Sequence, residues 1–218
     1  MDYWVSPKYR QSKLASGLLV DKIDVFEDQW KGWILEHAEC LLSATCPGRN
    51  HSGLAVLMIV TSYFEAIACF LRGERSDHKS PEFFSFGFSQ VFPIEADRLR
   101  KGGVEDPDLA VKNIKCALYS EVRCGLFHEA MIRGRVVINT SSNAPFEYTV
   151  TKDTAATGQI LVNPMLVLWG VMEHFSGYVK QLRDPAEIEL RRKFECFWDV
   201  RPLPLPKRAN RGGADIAR

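Results

Sequence analysis

The chain has 218 residues, of which 46% are apolar and 25% are charged, so it can form one domain of ordinary size with a substantial core. Its formal net charge of +1 argues against a dedicated non-specific DNA-binding protein, and any RNA must bind on a local patch. The cysteines show no CxxC pair or regular spacing, and the N-terminal residues contain no apolar signal core. We therefore expect reduced thiols and a cytoplasmic protein.

The N-terminal half is dominated by two predicted helices. Residues 1–20 carry little pattern, and we expect them to be loosely ordered. From Asp21 to about residue 44, apolar residues recur every three or four positions, which predicts an amphipathic helix. After a Pro- and Gly-containing breaker, residues 53–71 are mainly apolar and just long enough to span a bilayer. Glu65 near their middle makes a membrane span costly, so the sequence predicts a buried bundle helix and no membrane segment.

The next stretch leads into the middle of the chain. Phenylalanine recurs through residues 83–92 without a clean helical period and without interleaved basic residues. A hydrophobic packing segment is therefore a better interpretation than a base-stacking surface. We expect a short helix over about 93–101. Asp106 and Pro107 form an N-cap signal with proline in the first turn, and they predict a further helix that runs through Val122 and on toward residue 133.

After Gly134 the hydrophobic period becomes β-like over residues 136–140, 146–150 and 159–162, which predicts a small antiparallel meander or hairpin inserted at about 135–162. Asn163-Pro164 and Asp184-Pro185 repeat the cap-and-proline signal and predict two last helices. The basic, Pro- and Gly-rich residues 201–218 are predicted to be disordered. The predicted fold is thus a single mainly α domain over residues 21–200, with a small antiparallel β insert and a C-terminal helical extension.

Residues 118–131 place Arg123 and His128 five positions apart in the helical part that we expect to be most buried. A buried cation beside a titratable imidazole is costly unless the cation is paired or used. At about 100° per residue, the two side chains lie roughly 140° apart on a straight helix. Either Gly125 permits a local distortion that brings them together, or a second copy of the motif completes the site across an interface.

This Arg-x4-His pattern, with a capped helix before it and two long helices upstream, resembles the ribonuclease motif of HEPN domains (higher eukaryotes and prokaryotes nucleotide-binding). The resemblance covers mainly residues 22–133 and the helix at 164–182. It implies a HEPN-type helical bundle that forms a homodimer with the two motifs facing each other in a shared cleft. It also implies an endoribonuclease that needs no metal or other cofactor, similar to HEPN proteins of toxin–antitoxin and phage-defence systems, with an antitoxin protein as a further partner.

The resemblance assigns roles to both motif residues. His128 would act as general base or acid for attack of an RNA 2′-hydroxyl on the adjacent phosphate, and Arg123 would hold that phosphate and stabilise its developing charge. The expected products carry a 2′,3′-cyclic phosphate and a 5′-hydroxyl. HEPN ribonuclease motifs often have Asn, Asp or His directly after the arginine. This chain has Cys124 there, which hydrogen-bonds only weakly but can pack under the site.

Three further residues are candidate supporting groups. Arg133 and Arg135 follow the motif and could contact RNA phosphates, although an ion pair with Glu129 at i,i+4 explains Arg133 equally well. Glu65 is predicted to form a structural ion pair with Arg123 or another core cation. A role for Glu65 in orienting His128 is the alternative.

Other interpretations stay open at this point. Arg123 could pair with Glu65 or Glu121 while His128 serves only an interface. The chain would then be a non-catalytic HEPN module that binds RNA, nucleotide or a protein partner, or a plain dimeric interaction domain. A zinc site is also conceivable from four nearby side chains, but their spacing matches none of the usual zinc patterns, so we predict no metal site. These side chains are His37, Cys40, Cys46 and His51.

Overall fold

The computed structural model describes residues 2–43, 52–132, 134–150 and 158–200. Over these ranges the chain is mainly α-helical with one small β-sheet, which confirms the predicted fold class. The helices, in chain order, are α1 (Leu19–Trp30), α2 (Glu36–Leu42), α3 (Gly53–Arg72), α4 (Ser80–Val91), α5 (Glu95–Lys101), α6 (Pro107–Ala117), α7 (Cys124–Glu129), α8 (Pro164–Arg183) and α9 (Ile188–Val200). The strands are β1 (Val136–Ile138), β2 (Phe146–Thr149) and β3 (Gln159–Val162).

Helix α3 forms the centre of the fold and packs against α4, α8 and α9. Among the described helices it alone is long and apolar enough to cross a membrane by length and composition. More than half of its apolar window is nevertheless buried inside the protein, and Val56, Leu57 and Phe64 are fully buried. These contacts are those of a core helix, as the position of Glu65 predicts.

An aromatic cluster joins the helices around α3. The ring of Phe26 on α1 lies 4.6 Å from that of Phe70 on α3, 5.5 Å from that of Phe175 on α8 and 5.3 Å from that of Phe194 on α9. Centroid distances in this range are those of favourable tilted and edge-to-face pairs. Because each ring comes from a different helix, the cluster fixes the mutual positions of four elements.

The phenylalanine-rich segment is a regular helix, α4, although its sequence lacks a clean period. Phe83, Phe84 and Phe88 are fully buried, which confirms the packing interpretation. Helices α3 and α4 approach so closely that a Cβ at Gly87 would lie 1.8 Å from the carbonyl oxygen of Phe64. Glycine is therefore required at this crossing by space rather than by backbone conformation.

The predicted helix caps are confirmed at two positions. The Asp106 carboxylate accepts the Leu109 N–H at 3.0 Å, and the Asn163 side chain accepts the Met165 N–H at 3.0 Å. Proline follows each cap in the first turn. At Asp184 the same signal forms a turn in which Asp184 accepts the Ala186 N–H at 2.9 Å, and α9 begins only at Ile188.

The three strands form a mixed sheet in the order β1-β3-β2, which confirms a small β insert; the predicted antiparallel pairing occurs between β2 and β3, whereas β1 pairs with β3 in parallel. Strand β3 is parallel to β1 and antiparallel to β2, with Val136 opposite Ile160 and Phe146 opposite Val162. Strand β3 is central, with both of its edges paired, and its residues Ile160 and Val162 are completely buried. Phe146 anchors β2 to the core, 5.3 Å from the Phe88 ring.

The N-terminal residues pack on the domain, contrary to the prediction that residues 1–20 are loosely ordered. Val5 is buried, and the backbone N–H of Lys8 donates to the Asp28 carboxylate at 2.7 Å. A 3₁₀-helix over Gln11–Ser16 then leads into α1. These contacts depend on partners distant in sequence, which a local pattern does not reveal. The predicted disordered tail, 201–218, lies outside the described residues.

Candidate functional site

Arg123 lies where the helix that begins with α6 at Pro107 departs from α-helical geometry. Between α6 and α7, residues Leu118–Arg123 form a π-helical turn, and the N–H of Cys124 bonds to the carbonyl of Tyr119, five residues earlier. Turns of this kind are rare and are frequent at functional sites. The regular α-helix α7 follows, and it ends at Ala130, whose φ of +56° is left-handed.

The Arg123 guanidinium is held by one ion pair and two aromatic rings. Its Nη2 donates to Glu65 Oε2 at 3.1 Å, and its side chain is 29% exposed. The rings of Tyr119 and Phe127, four positions before and after it, lie 5.6 and 5.7 Å away. Such cation–π contacts contribute about 0.5–1 kcal/mol each at partly exposed sites. The prediction that Glu65 pairs with Arg123 is confirmed.

The second carboxylate oxygen of Glu65 is held by two serine hydroxyls. Oε1 accepts hydrogen bonds from the hydroxyls of Ser76 and Ser80, both at 2.7 Å. The carboxylate therefore connects α3, the loop after it, the first residue of α4 and the π-helical turn that carries Arg123. Within residues 52–132 no hydrogen bond joins Glu65 to His128, so the geometry gives no support to an orienting role of Glu65 for this histidine.

Most donors of the Arg123 guanidinium have no hydrogen-bond partner among the described residues, and the side chain is 29% exposed. A guanidinium has five N–H donors, and one of them is used by Glu65. Arg123 Nη1 also lies 4.0 Å from Cys124 Sγ, which is a weak contact. Arg123 can thus accept a second anion, such as a phosphate group, on the donors that Glu65 leaves unused.

His128 stands apart from this network. It is exposed in the last turn of α7, beside Phe127 and Met131, which are 50% and 64% exposed. No hydrogen bond or ion pair between His128 and Arg123 occurs in the described part of this region. Gly125 is buried inside the regular helix α7, and the π-helical turn precedes it, so a distortion at Gly125 does not bring the two side chains together.

Glu121 and Arg135 form a separate ion pair that connects the β insert to the π-helical turn Leu118–Arg123. Glu121 accepts the Arg135 Nε at 3.1 Å and the Arg135 backbone N–H at 2.8 Å. A Cβ at Gly134, whose φ is +66°, would lie 2.6 Å from the Glu121 carboxylate. Glu121 therefore has a partner other than Arg123, and Arg135, a predicted RNA contact, is engaged in this ion pair. Arg133 lies outside the described residues.

The zinc alternative receives no support in the described ranges. His37 and Cys40 are both exposed on α2, and Cys46 and His51 lie outside those ranges. Among the described residues, no group of three or more His, Cys, Asp and Glu side chains is arranged to hold a metal ion.

Four side chains of the Arg123 site were not predicted from the sequence. Tyr119 and Phe127 could have been found, because positions four residues before and after an arginine share its helix face. Ser76 and Ser80 lie in and just after a polar loop, and no sequence period places them at Glu65.

Comparison with protein-family models, with curated proteins and with solved structures gives no match for this chain.

Proposed function

We propose that the chain is a HEPN-type, metal-independent endoribonuclease whose site is completed by a second copy in a homodimer. One observation carries the proposal: Arg123 keeps donors that have no partner among the described residues, and His128 is exposed in α7 with no hydrogen bond or ion pair to Arg123 within the described ranges. Cleavage needs both groups at one phosphate. A second motif facing the first would supply the histidine to the arginine across the interface.

The surface near His128 supports association. Phe127 and Met131 flank it and expose much of their apolar side chains to solvent. A contiguous exposed apolar surface often marks a site that a partner covers, and these two side chains would contribute to such a surface. Covering them would also exclude water from the imidazole and strengthen its interaction with the substrate.

The proposed chemistry follows from the two groups. The neutral His128 imidazole removes the proton of a 2′-hydroxyl, whose oxygen attacks the adjacent phosphorus, and the bond from phosphorus to the 5′-oxygen breaks. Arg123 donates to the non-bridging oxygens as negative charge develops on them. The proton that His128 removed passes, directly from the imidazolium or through solvent, to the leaving 5′-oxygen, and the other product ends in a 2′,3′-cyclic phosphate. By its resemblance to HEPN proteins, we place this activity in the cytoplasm as a toxin or phage-defence effector controlled by an antitoxin protein.

A second candidate function is a non-catalytic HEPN module that binds RNA, nucleotide or a protein partner. The observation that favours it is the ion pair itself, because Glu65 neutralises the charge of Arg123 in the absence of any ligand. Cys124 also supplies no strong hydrogen bond to the site. In this case Arg123-dependent binding would occur without cleavage.

The test is to incubate the purified chain with structured RNA in EDTA, beside Arg123→Ala and His128→Ala. Arg100→Ala and His37→Ala are matched controls, since both replace an exposed side chain of the same type elsewhere. We expect cleavage by the wild type and both controls, with cyclic-phosphate ends, and a loss of at least about a hundredfold in each motif variant. Arg123-dependent binding without cleavage would favour the second candidate. Absence of both activities, or a monomer at micromolar concentration, would contradict the proposal.

A further inference from the structure

The turn between α3 and α4 carries a histidine, His78, next to the Arg123 site. Ser76 and Ser80, two positions away on either side of it, both donate to one oxygen of Glu65 at 2.7 Å. Because consecutive Cα atoms lie about 3.8 Å apart, the His78 Cα is within about 7.6 Å of the Cα of each serine. The turn is thus held against the carboxylate that pairs with Arg123.

The backbone of His78 is strained. Its φ of +58° lies in the left-handed region, which residues other than glycine adopt at a cost in free energy. The Lys79 N–H donates to the Ser76 carbonyl at 2.6 Å and closes the turn around this residue. Among the described residues, Ala130 is the only other non-glycine with a positive φ, and it follows His128 by two positions. Strained backbone of this kind clusters at active sites, and both strained positions adjoin the proposed cleavage site.

The His78 imidazole is exposed and makes no hydrogen bond or ion pair with any described residue. Two other described histidines differ from it in place or in partner. His174 lies 2.9 Å from the Tyr63 hydroxyl, and His37 lies on α2, outside this turn. An imidazole exchanges protons near neutral pH. His78 therefore offers an unoccupied acid–base group in the same protomer as Arg123.

The proposed cleavage has a use for a second proton-transfer group. The attacking 2′-oxygen and the leaving 5′-oxygen stand in line, on opposite sides of the phosphorus. A base that reaches the 2′-hydroxyl on one side is therefore remote from the leaving oxygen on the other. In the proposed dimer, His128 comes from across the interface, whereas the turn of His78 belongs to the protomer whose Arg123 holds the phosphate.

We propose that His78 is the general acid that protonates the leaving 5′-oxygen, an inference that rests on the proposed ribonuclease function. His128 takes the proton of the 2′-hydroxyl, whose oxygen forms a bond to phosphorus. As the bond from phosphorus to the 5′-oxygen breaks, its electron pair stays on that oxygen, which takes a proton from the His78 imidazolium. Solvent then returns the proton held by His128 to His78, so both groups are restored.

Replacing the leaving oxygen by sulfur tests the assignment. The linkage that the wild type cleaves is first mapped on a structured RNA in EDTA. The same RNA is then made with sulfur in place of the 5′-bridging oxygen at that linkage. A thiolate leaves without prior protonation, because thiols have a pKa of about 8.5. Loss of a general acid therefore slows cleavage of the oxygen RNA but not of the sulfur RNA.

The variant is His78→Asn, because asparagine tolerates the left-handed φ of this turn and carries no titrating group. It should cleave the oxygen RNA about a hundredfold more slowly than the wild type, and the sulfur RNA within about threefold of the wild-type rate. His128→Ala should stay slow on both RNAs, since each needs a base. His37→Asn, at an exposed histidine of α2, should match the wild type on both.

The alternative outcomes are distinct. Equal losses of His78→Asn on both RNAs would assign His78 to the fold of the turn, and no loss on either would remove it from the reaction. Rescue of His128→Ala by sulfur would make His128 the acid. Each of these results overturns the role of His78 and leaves the ribonuclease proposal standing. Failure of the wild type to cleave the oxygen RNA would overturn the ribonuclease function, and this inference with it.

Discussion

Glu65 receives the Arg123 guanidinium on one carboxylate oxygen at 3.1 Å, while two serine hydroxyls hold its other oxygen. The carboxylate thereby connects the core helix α3 with the π-helical turn that carries the arginine. It gives Arg123 a defined position before any ligand arrives. A phosphate bound at Arg123 would share the guanidinium with Glu65 instead of meeting a mobile side chain.

The first prediction concerns this ion pair. Glu65→Gln keeps an acceptor for the serine hydroxyls but removes the charge opposite Arg123, whose side chain is 29% exposed. We expect a loss of about 1–2 kcal/mol in the free energy of unfolding, since breaking a partly buried pair costs more than breaking a surface pair. Urea denaturation measures it. Glu74→Gln, at an exposed glutamate, is the control, and identical midpoints for both variants would contradict the prediction.

The second prediction concerns the crossing of α3 and α4. Gly87→Ala would place a Cβ 1.8 Å from the Phe64 carbonyl oxygen, so the two backbones must separate. We expect a loss of roughly 3 kcal/mol or more in the free energy of unfolding. Gly177→Ala on α8 is the matched control, because its Cβ would meet no atom within 4 Å. That change should stabilise the protein by about 0.5–1 kcal/mol. Equal thermal shifts in the two variants would refute this interpretation of the crossing.

The third prediction concerns pH. The Tyr63 hydroxyl lies 2.9 Å from His174 Nδ1, and burial lowers the pKa of His174 from 6.5 to about 4. Because the unfolded chain binds this proton more tightly, the contribution of His174 to stability is complete above about pH 6.5. This contribution to the free energy of unfolding is lost as the pH falls from about 6.5 to about 4. It amounts to roughly 3 kcal/mol at most, and solvent contact with the partly exposed ring makes it smaller.

Denaturation at pH 7.5 and pH 4.5 tests this effect in the wild type and in His174→Phe. The variant should lose less stability than the wild type between the two pH values, because a phenylalanine takes up no proton. Its absolute stability at pH 7.5 is a separate matter, since it also removes the partner of Tyr63. Equal losses in the two proteins would show that other groups cause the acid sensitivity.

The fourth prediction concerns the attachment of the β insert. Glu121 accepts both the side chain and the backbone N–H of Arg135, and the Arg135 carbonyl in turn accepts the Ile160 N–H at 3.0 Å. In Glu121→Ala, amide hydrogen exchange over residues 134–138 should accelerate about tenfold, which corresponds to roughly 1.4 kcal/mol of local opening free energy. Glu105→Ala, at an exposed glutamate near α6, should leave these rates unchanged. Similar exchange in both variants would mean that the sheet holds β1 without Glu121.

The sequence could predict those features that depend on neighbouring residues. Asp106 and Asn163 could be predicted as helix N-caps because a cap needs only a side chain and the N–H groups two or three residues later. An ion pair of Glu65 with Arg123 or another core cation could be predicted because an acid on an otherwise apolar helix requires a cation nearby, and the structure shows that the cation is Arg123.

Other features depend on contacts between distant segments. The π-helical turn at Leu118–Arg123 was not predicted, because no residue in it marks a change in backbone bonding. The parallel pairing of β1 with β3 was also missed. Strand β3 is central and buries Ile160 and Val162, and this position depends on contacts with the rest of the domain that a local pattern does not reveal. For the same reason Ser76 and Ser80 could not be assigned to the Glu65 site.

In the proposed dimer, Arg123 of one protomer and His128 of the other act on the same phosphate, and a mixture of two inactive variants can test this arrangement. Arg123→Ala and His128→Ala, each inactive alone, are combined in equal amounts and allowed to exchange subunits before RNA cleavage is measured in EDTA. Each mixed dimer would contain one intact site, and half of the dimers would be mixed. We therefore expect recovery of about a quarter of the wild-type activity. No recovery, despite subunit exchange confirmed by mass spectrometry of the intact dimers, would contradict a site shared between protomers.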